Sequence, residues 1–139
     1  MKISTKGRYG LTIMIELAKK YGEGPISLKF IAEEHDLSVH YLEQLAALLR
    51  NAGLIQSIRG AYGGYKLTTH PKHMKAGDVI RVLEGPIMLV EGIENEEPAQ
   101  QALWLRITQA VKNVLDTTTL EDLTQYDVDD QQEEYMFYI

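Results

Sequence analysis

The chain has 139 residues, of which 45% are apolar, a size that fits one domain with one modest hydrophobic core. It contains no cysteine, which excludes disulfides, thiolate nucleophiles and iron–sulfur clusters held by cysteine. The sequence has neither an apolar run of the roughly 18 residues that a membrane span needs nor the apolar stretch of a signal peptide, so we expect a cytoplasmic protein that does not bind membranes.

The net charge of −6 is distributed unevenly. Residues 1–75 carry 11 Lys and Arg against 6 Asp and Glu, whereas residues 76–139 carry 3 basic residues against 14 acids. Such asymmetry is typical of a protein with a polyanion-binding face on one side. Acids that simply solvate the surface are the alternative explanation.

Three helices are predicted before Gly53. Apolar residues at three- and four-residue spacing predict an amphipathic helix over residues of about 7–21. Ser27 is a suitable N-cap for a second, short helix, and Ser38 is one for a third. The stripe that the third helix would bury consists of Leu42, Leu45, Leu48 and Leu49. Two short helices joined by a tight turn describe a helix-turn-helix.

After Gly53 the pattern changes to that of a β-hairpin. Two β-prone segments, residues 55–58 and 65–68, flank Arg59-Gly60-Ala61-Tyr62-Gly63-Gly64, whose three glycines permit the positive φ angles of a hairpin tip. A hairpin in this position is the wing of a winged helix-turn-helix. The glycine-rich tip lacks the Lys-Ser/Thr of a P-loop, so the sequence does not predict a nucleotide site here.

Beyond residue 75 the sequence predicts three more helices. The first is short and covers residues 78–84. Pro98, a favourable residue for a first helical turn, begins the longest element, which runs to about residue 116. Thr118 and Glu121 have the spacing of a capping box that starts a last short helix. The predicted fold class is therefore mainly α, a winged helix-turn-helix with a β-hairpin wing and a long C-terminal dimerisation helix.

The long helix carries an apolar side that is longer than a small core needs. A single winged helix buries too little base-reading surface for tight specificity, and dimers that read two half-sites are the common solution. We therefore expect a homodimer on a pseudo-palindromic operator, with residues 1–75 as the DNA-binding region and residues 76–139 as the dimerisation region of one compact domain. The predicted dimer contacts are Leu103, Trp104, Ile107, Val111 and Val114.

A polar face of the third helix, opposite its leucine stripe, is the candidate reader of double-stranded DNA. Gln44 can hydrogen-bond adenine bidentately, Glu43 can accept from the cytosine amino group, and His40 can meet a base edge. Arg59 at the hairpin tip suits a narrow minor groove. Candidate backbone contacts, which set register without reading sequence, are Lys2, Lys6, Arg8, Lys29, Arg50 and Tyr62. An ordinary solvated polar surface is the alternative.

No residue pattern supports an enzyme. The sequence contains no Ser-centred elbow, no paired helical His-Glu motif and no dinucleotide fingerprint. His70 and His73 have no obvious third or fourth ligand for zinc. We therefore expect no catalytic residues, no metal and no cofactor.

Four segments resemble the Rrf2 family of bacterial winged helix-turn-helix regulators. They are Ile3-Ser4-Thr5-Lys6-Gly7-Arg8-Tyr9-Gly10, Leu37-Ser38 with Tyr41-Leu42-Glu43-Gln44-Leu45, the wing from Arg59 to Tyr65, and Gly77-Asp78-Val79-Ile80-Arg81-Val82-Leu83-Glu84-Gly85. The resemblance covers essentially the whole chain, and it implies the fold, the dimer and DNA-binding roles for Glu43, Gln44 and Arg59. Iron–sulfur members carry three cysteines in the segment that is an acidic connector here, so the resemblance does not imply the cluster. The positions of His40 and Tyr62 vary within the family, which leaves the operator sequence open.

The ending Tyr135-Met136-Phe137-Tyr138-Ile139 resembles that of the family's cysteine-metabolism repressors. This resemblance implies a repressor of cysteine and sulfur metabolism genes. It also implies that a complex with cysteine synthase (O-acetylserine thiol-lyase) controls the repressor, with Tyr138 and Ile139 as docking residues. Packing of this tail on the dimer is the alternative. Two other functions stay open, namely a small-molecule- or metal-sensing regulator and a protein-interaction module whose helix-turn-helix is only structural.

Overall fold

The structure is a computed structural model, and it describes residues 2–126 of the chain. Six α-helices, two short 3₁₀ helices (Pro71–His73 and Ile93–Asn95) and one antiparallel hairpin make up this part. The helices are α1 (Thr5–Lys19), α2 (Leu28–His35), α3 (Val39–Asn51), α4 (Ala76–Glu84), α5 (Pro98–Thr117) and α6 (Leu120–Thr124), and the strands are β1 (Ile55–Ile58) and β2 (Gly64–Leu67). The predicted winged helix-turn-helix with a long C-terminal helix is confirmed. The predicted docking residues Tyr138 and Ile139 lie outside the described residues.

The helix-turn-helix is built by the two predicted serine caps. The hydroxyl of Ser27 accepts a hydrogen bond from the backbone N–H of Phe30 at 3.1 Å, and that of Ser38 accepts from Tyr41 at 3.2 Å. Between them Asp36 adopts a left-handed conformation with φ 53°, which aspartate tolerates better than most residues. The two serine caps fix the N-terminal ends of α2 and α3, so both helices begin where the sequence predicts.

The buried face of α3 differs from the predicted stripe at one position. Leu42, Leu45 and Leu49 are buried, but Leu48 is 38% exposed and the small Ala46 is fully buried instead. Because α3 packs against α1, α2 and α4, its covered face extends to the side of Ala46 and leaves Leu48 at the open edge. The prediction that Leu48 belongs to the core is wrong.

Two helix starts differ from the predicted ones. Helix α1 begins at Thr5, earlier than predicted, because a Glu84 carboxylate oxygen accepts from the backbone N–H of Ser4 at 3.0 Å and of Gly7 at 3.1 Å. The last capping box starts one residue later than predicted. Thr119 and Asp122 exchange hydrogen bonds of 2.9 Å, in place of Thr118 and Glu121. The backbone N–H of Thr118 is already used by α5.

Helices α1 and α4 lie unusually close together. A Cβ atom at Gly7 would collide with the Glu84 carboxylate, and one at Gly10 would collide with the buried Leu83 side chain. Two missing side chains on one face of α1 therefore let α4 approach its backbone. This contact joins the N-terminal half to the C-terminal half in one core.

The wing is hydrogen-bonded on both sides of β2. Strand β1 pairs with β2 in a register that places Ser57 opposite Tyr65. On the other side, Ile26 and Tyr65 exchange two backbone hydrogen bonds of 2.9 and 2.8 Å. The wing is thus tied to the residue that directly precedes Ser27, the N-cap of α2.

The glycines of the hairpin serve different purposes. Gly60 has the predicted positive φ, at 117°. Gly63 does not have a positive φ, and a glycine is needed there because a Cβ atom would strike the Ile58 carbonyl oxygen. A Cβ atom at Gly64 would strike the backbone of Ile26 and Ser27.

We expect Gly64→Ala to destabilise the protein by about 1–3 kcal/mol, because the added methyl group meets backbone atoms that must move apart. The Ile26–Tyr65 hydrogen bonds would lengthen or break. Urea denaturation measures the effect. The control is Ser57→Ala, an exposed position on β1. An equal urea midpoint for wild type and Gly64→Ala would contradict the close contact.

Candidate nucleic-acid interface

The predicted base-reading face of α3 is accessible. His40, Glu43 and Gln44 are all exposed, and the Gln44 amide nitrogen lies 3.3 Å from His40 Nε2. The opposite face of the helix is anchored in the core by its leucines. Helix α3 therefore presents polar groups on the side that its packing leaves free.

The wing tip presents a cation and an aromatic ring. Arg59 is exposed, and Tyr62 is 94% exposed, a degree that is unusual for so large a side chain. Strand β1 contacts α3, so the hairpin is anchored beside the helix. An exposed Arg and Tyr on a wing held in this way can contact a nucleic-acid backbone or groove.

The five Lys and Arg residues that are predicted to contact the DNA backbone are all exposed. None of these cations has a carboxylate within 4.0 Å among residues 2–126. The set is Lys2, Lys6, Arg8, Lys29 and Arg50. Positive charge that is not neutralised within the described chain is available to phosphates.

These cations do not all lie together. Arg8 lies 6.0 Å from the ring centroid of Tyr9, which packs edge-on against Tyr41 of α3 at 6.1 Å. The structure therefore brings Arg8 close to α3. Lys2, in contrast, lines a cleft with Val111 of α5.

A buried carboxylate positions the helix-turn-helix. Glu16 of α1 is only 8% exposed, and its Oε1 accepts hydrogen bonds from His35 Nε2 at 3.1 Å and Lys19 Nζ at 3.2 Å. Burial raises the pKa of Glu16, but the bonds from His35 and Lys19 outweigh burial, so the pKa is lowered overall. Since His35 ends α2, this contact fixes the turn before α3 against α1.

Sequence reasoning missed Glu16 because its partner His35 lies 19 residues away. A buried glutamate on an amphipathic helix has the same local pattern as a solvated one. The only signal was its position between the apolar residues Ile15 and Leu17.

Helix α5 has no buried residue in the described chain. Leu103 is 46% exposed, Ile107 is 39% exposed and Val114 is 63% exposed. Leu105, which is not among the predicted dimer contacts, is 58% exposed. Helix α5 is thus left with apolar side chains in solvent.

The other two predicted dimer residues are partly covered by their own chain. Trp104 donates from Nε1 to a Glu96 carboxylate oxygen at 2.7 Å. Val111 and Leu115 line a cleft of about 170 Å³ between α5, α4 and the loop after α4.

A bidentate ion pair attaches α5 to α4. The Arg81 guanidinium donates two hydrogen bonds of 2.7 Å to the Asp116 carboxylate, and these bonds lower the pKa of Asp116. A Cβ atom at Gly77 would collide with the same carboxylate. Helix α5 therefore projects from the core at a fixed position.

Comparison with known proteins agrees with this geometry. The Rrf2 family, described as "Iron-dependent Transcriptional regulator", matches residues 3–126. The HTH-type transcriptional regulator CymR of Bacillus subtilis is 70% identical over the full length of both chains. The regulator IscR of Aliivibrio salmonicida is 35% identical over 88% of this chain and 77% of its own length.

Solved structures give the same result. The structure of CymR, described as the global cysteine regulator of B. subtilis, has 69% identity and a TM-score of 0.87, and the match covers 91% of this chain and 98% of that one. The crystal structure of Staphylococcus aureus CymR has 61% identity and a TM-score of 0.79 and covers 89% and 98%.

Among residues 2–126, no helix has the length and apolar character that crossing a bilayer requires. No group of three His, Asp or Glu residues in the same range is placed to hold a metal ion. With no cysteine in the chain, a cysteine-held iron–sulfur cluster is excluded.

The chain belongs to the Rrf2 family of DNA-binding helix-turn-helix regulators, and it is a transcriptional regulator, not an enzyme.

Proposed function

We propose that this protein is a dimeric repressor of cysteine and sulfur metabolism genes. The observation that carries the proposal is the 70% identity over the full length to CymR, together with the description of the CymR structure as the global cysteine regulator. The described site supports it, since an accessible polar face on α3 and an exposed cation on the wing adjoin each other.

The charge distribution is compatible with DNA binding despite the net charge of −6. Steering and phosphate contacts depend on the local field, and residues 1–75 carry the excess of basic residues. We assign these residues to DNA binding and residues 76–139 to dimerisation. His40, Glu43, Gln44 and Arg59 would read bases, and the free cations and Tyr62 would hold the backbone.

We expect Gln44→Ala to lose about 1–3 kcal/mol of binding free energy and to blur preference at one base position in each half-site, because a bidentate contact to a base edge disappears. Lys29→Ala should weaken binding to all sequences alike, since a phosphate contact carries no sequence information.

The measurement begins with selection of bound fragments from random DNA by the wild-type protein. Fluorescence anisotropy then compares the selected site with single-base variants for wild type, Gln44→Ala and Lys29→Ala at one salt concentration. If Gln44→Ala discriminates between the selected site and its single-base variants as strongly as wild type does, α3 is not the element that contacts the bases. Failure of wild type to select any fragment would overturn DNA binding itself.

The proposed dimer follows from the exposure of α5. Leu103, Ile107 and Val114 recur at spacings of four and seven residues, so they form a stripe along the helix. Their exposed apolar area is uncovered in a single chain, and a second copy of α5 that crosses it would bury both stripes symmetrically. A symmetric pair also places two α3 helices on the two halves of a pseudo-palindrome.

We expect the double variant Ile107→Glu, Val114→Glu to be a folded monomer, because both side chains are exposed in the single chain and would be buried as unpaired charges in the dimer. Light scattering after size exclusion gives the mass, and circular dichroism checks folding. The control Gln100→Glu, Gln109→Glu adds the same charge to exposed polar positions of α5. A wild-type monomer would refute the dimer, and a double variant that stays dimeric would refute the assignment of its interface to this stripe of α5.

Control by cysteine synthase is the finer part of the proposal. Five apolar residues, 135–139, follow a stretch that contains Asp127, Asp129, Asp130, Glu133 and Glu134. Apolar side chains after an acidic segment suit insertion of a peptide into a partner's pocket. If the tail enters the substrate site of the enzyme, O-acetylserine competes with the tail for that site. Because the two binding events are linked, abundant O-acetylserine would then release the regulator from the enzyme.

We expect deletion of Tyr138 and Ile139 to abolish binding to cysteine synthase and to leave the fold and the dimer unchanged. Calorimetry with purified cysteine synthase measures the complex with and without O-acetylserine. Gln131→Ala, Gln132→Ala is the matched control within the same segment. Normal binding by the truncated chain, or no effect of O-acetylserine on the complex, would contradict the docking role.

A further inference from the structure

The C-terminal end of α5 is fixed to the core by backbone hydrogen bonds. The N–H of Ala76, the first residue of α4, donates to the carbonyl oxygen of Thr118 at 2.8 Å. Two residues further on, the N–H of Leu120 donates to the carbonyl oxygen of Met74 at 2.9 Å, and the Leu120 side chain is fully buried. The end of α5 is therefore held beside the start of α4.

The rest of α5 is attached less closely. Its first turns are tied to the loop that leads into the helix, since Gln101 and Trp104 each donate a hydrogen bond of 2.7 Å to Glu96. In its last turns, Val111 and Leu115 line the cleft of about 170 Å³ that opens toward α4 and the loop after it. No residue of α5 is buried within the described chain, so close packing alone does not determine the direction of this helix.

The ion pair between Arg81 and Asp116 supplies a contact that depends on direction. Asp116 is the next-to-last residue of α5, and its two carboxylate oxygens each accept a hydrogen bond of 2.7 Å from the Arg81 guanidinium on α4. Exposed ion pairs are usually weak, but bidentate Arg–carboxylate pairs are an exception, and they constrain angle as well as distance. Gly77 permits this approach, because a Cβ atom there would collide with Asp116 Oδ1 and lie 2.8 Å from Arg81 Nη1.

A small change in the direction of α5 has a large effect at its far end. Leu103, in the exposed apolar stripe, lies thirteen residues before Asp116, which is about 20 Å along the helix. A tilt of about 10° at Asp116 would therefore move Leu103 by about 3–4 Å, roughly one base-pair step of DNA. If two copies of α5 cross at the stripe, such a tilt changes the distance between their α3 helices by a similar amount.

We propose that the Arg81–Asp116 pair determines which half-site spacing the dimer binds. Neither residue belongs to the base-reading face, so both are positioning residues that act through the direction of α5. Dimeric helix-turn-helix proteins recognise the distance between half-sites as well as the bases within them. The inference rests on the proposed function, because it requires that α5 joins two chains and that α3 contacts DNA.

The first test uses duplexes that carry two copies of the half-site selected by wild type, at the selected spacing and with one base pair fewer or more. Fluorescence anisotropy at one salt concentration should show that wild type prefers one spacing by about tenfold or more, because the other spacings require deformation of the complex. Arg81→Gln and Asp116→Asn should each lower this preference to about threefold or less, since either change breaks the bidentate pair. Discrimination against a single-base variant of the half-site should stay at the wild-type ratio.

Three further variants separate geometry from charge. Lys112→Gln is the matched control, because Lys112 acts on Asp116 only through its charge, and this variant should keep the wild-type spacing preference. Arg81→Lys keeps the charge but cannot form a bidentate pair, so it should behave like Arg81→Gln. Gly77→Ala keeps both charged groups and pushes the carboxylate away, so it should also lower the spacing preference.

A second measurement needs no DNA. Because the chain has no cysteine, Asn51→Cys at the exposed end of α3 gives one spin-label site on each chain. Double electron–electron resonance should give one narrow distance between the two labels of the dimer. Adding Arg81→Gln should broaden this distribution, and adding Lys112→Gln should leave it narrow. Circular dichroism checks that each variant is folded.

The outcomes distinguish this inference from the proposed function. Equal spacing preference and equal distance distributions for wild type and Arg81→Gln would overturn the inference and leave the proposed function standing. Wild-type behaviour of Arg81→Lys, or loss of base discrimination together with spacing preference in Arg81→Gln, would also overturn it. A wild type that gives no distance between labels or binds no DNA would overturn the proposed function, and the inference with it.

Discussion

The close packing of α1 against α4 holds the DNA-binding half and the C-terminal half in one core. Gly7 and Gly10 remove the side chains that would keep the helices apart, and Glu84 fills the space at Gly7 with a carboxylate that caps the first turn of α1. A carboxylate at a helix N-terminus also complements the helix dipole. Helix α1 in turn contacts α3, β2 and α6, so the orientation of the reading helix, the wing and the last helix depends on this contact.

The acidic half of the chain uses several of its carboxylates in hydrogen bonds to other groups of the same chain. Glu84 caps α1, Asp116 pairs with Arg81, and Glu96 accepts from Trp104. The cations of the N-terminal half, in contrast, are mostly without carboxylate partners in the described part of the chain. The same sequence can therefore have an acidic overall charge and a local positive field, which is the quantity that matters for a polyanion.

The family is described as iron-dependent, yet this chain has no cysteine with which to hold an iron–sulfur cluster. A signal must then reach the DNA-binding half by another route. In the proposed function, that route is a partner enzyme that binds residues beyond 126. Such a partner changes DNA binding only if it binds one arrangement of the protein more tightly than another.

The sequence by itself determined the order and type of the elements and the accessible face of α3. Ser27, Ser38 and Pro98 mark helix starts through hydrogen bonds and φ preferences that operate within a few residues, which is why these starts were predicted correctly. Tertiary structure alone decided that Leu48 is exposed and Ala46 buried, that Glu84 caps α1 and that Glu16 holds His35. The last two contacts join groups 80 and 19 residues apart. Periodicity and caps describe only the neighbours of a residue along the chain, whereas burial and ion pairing depend on which distant segment packs there.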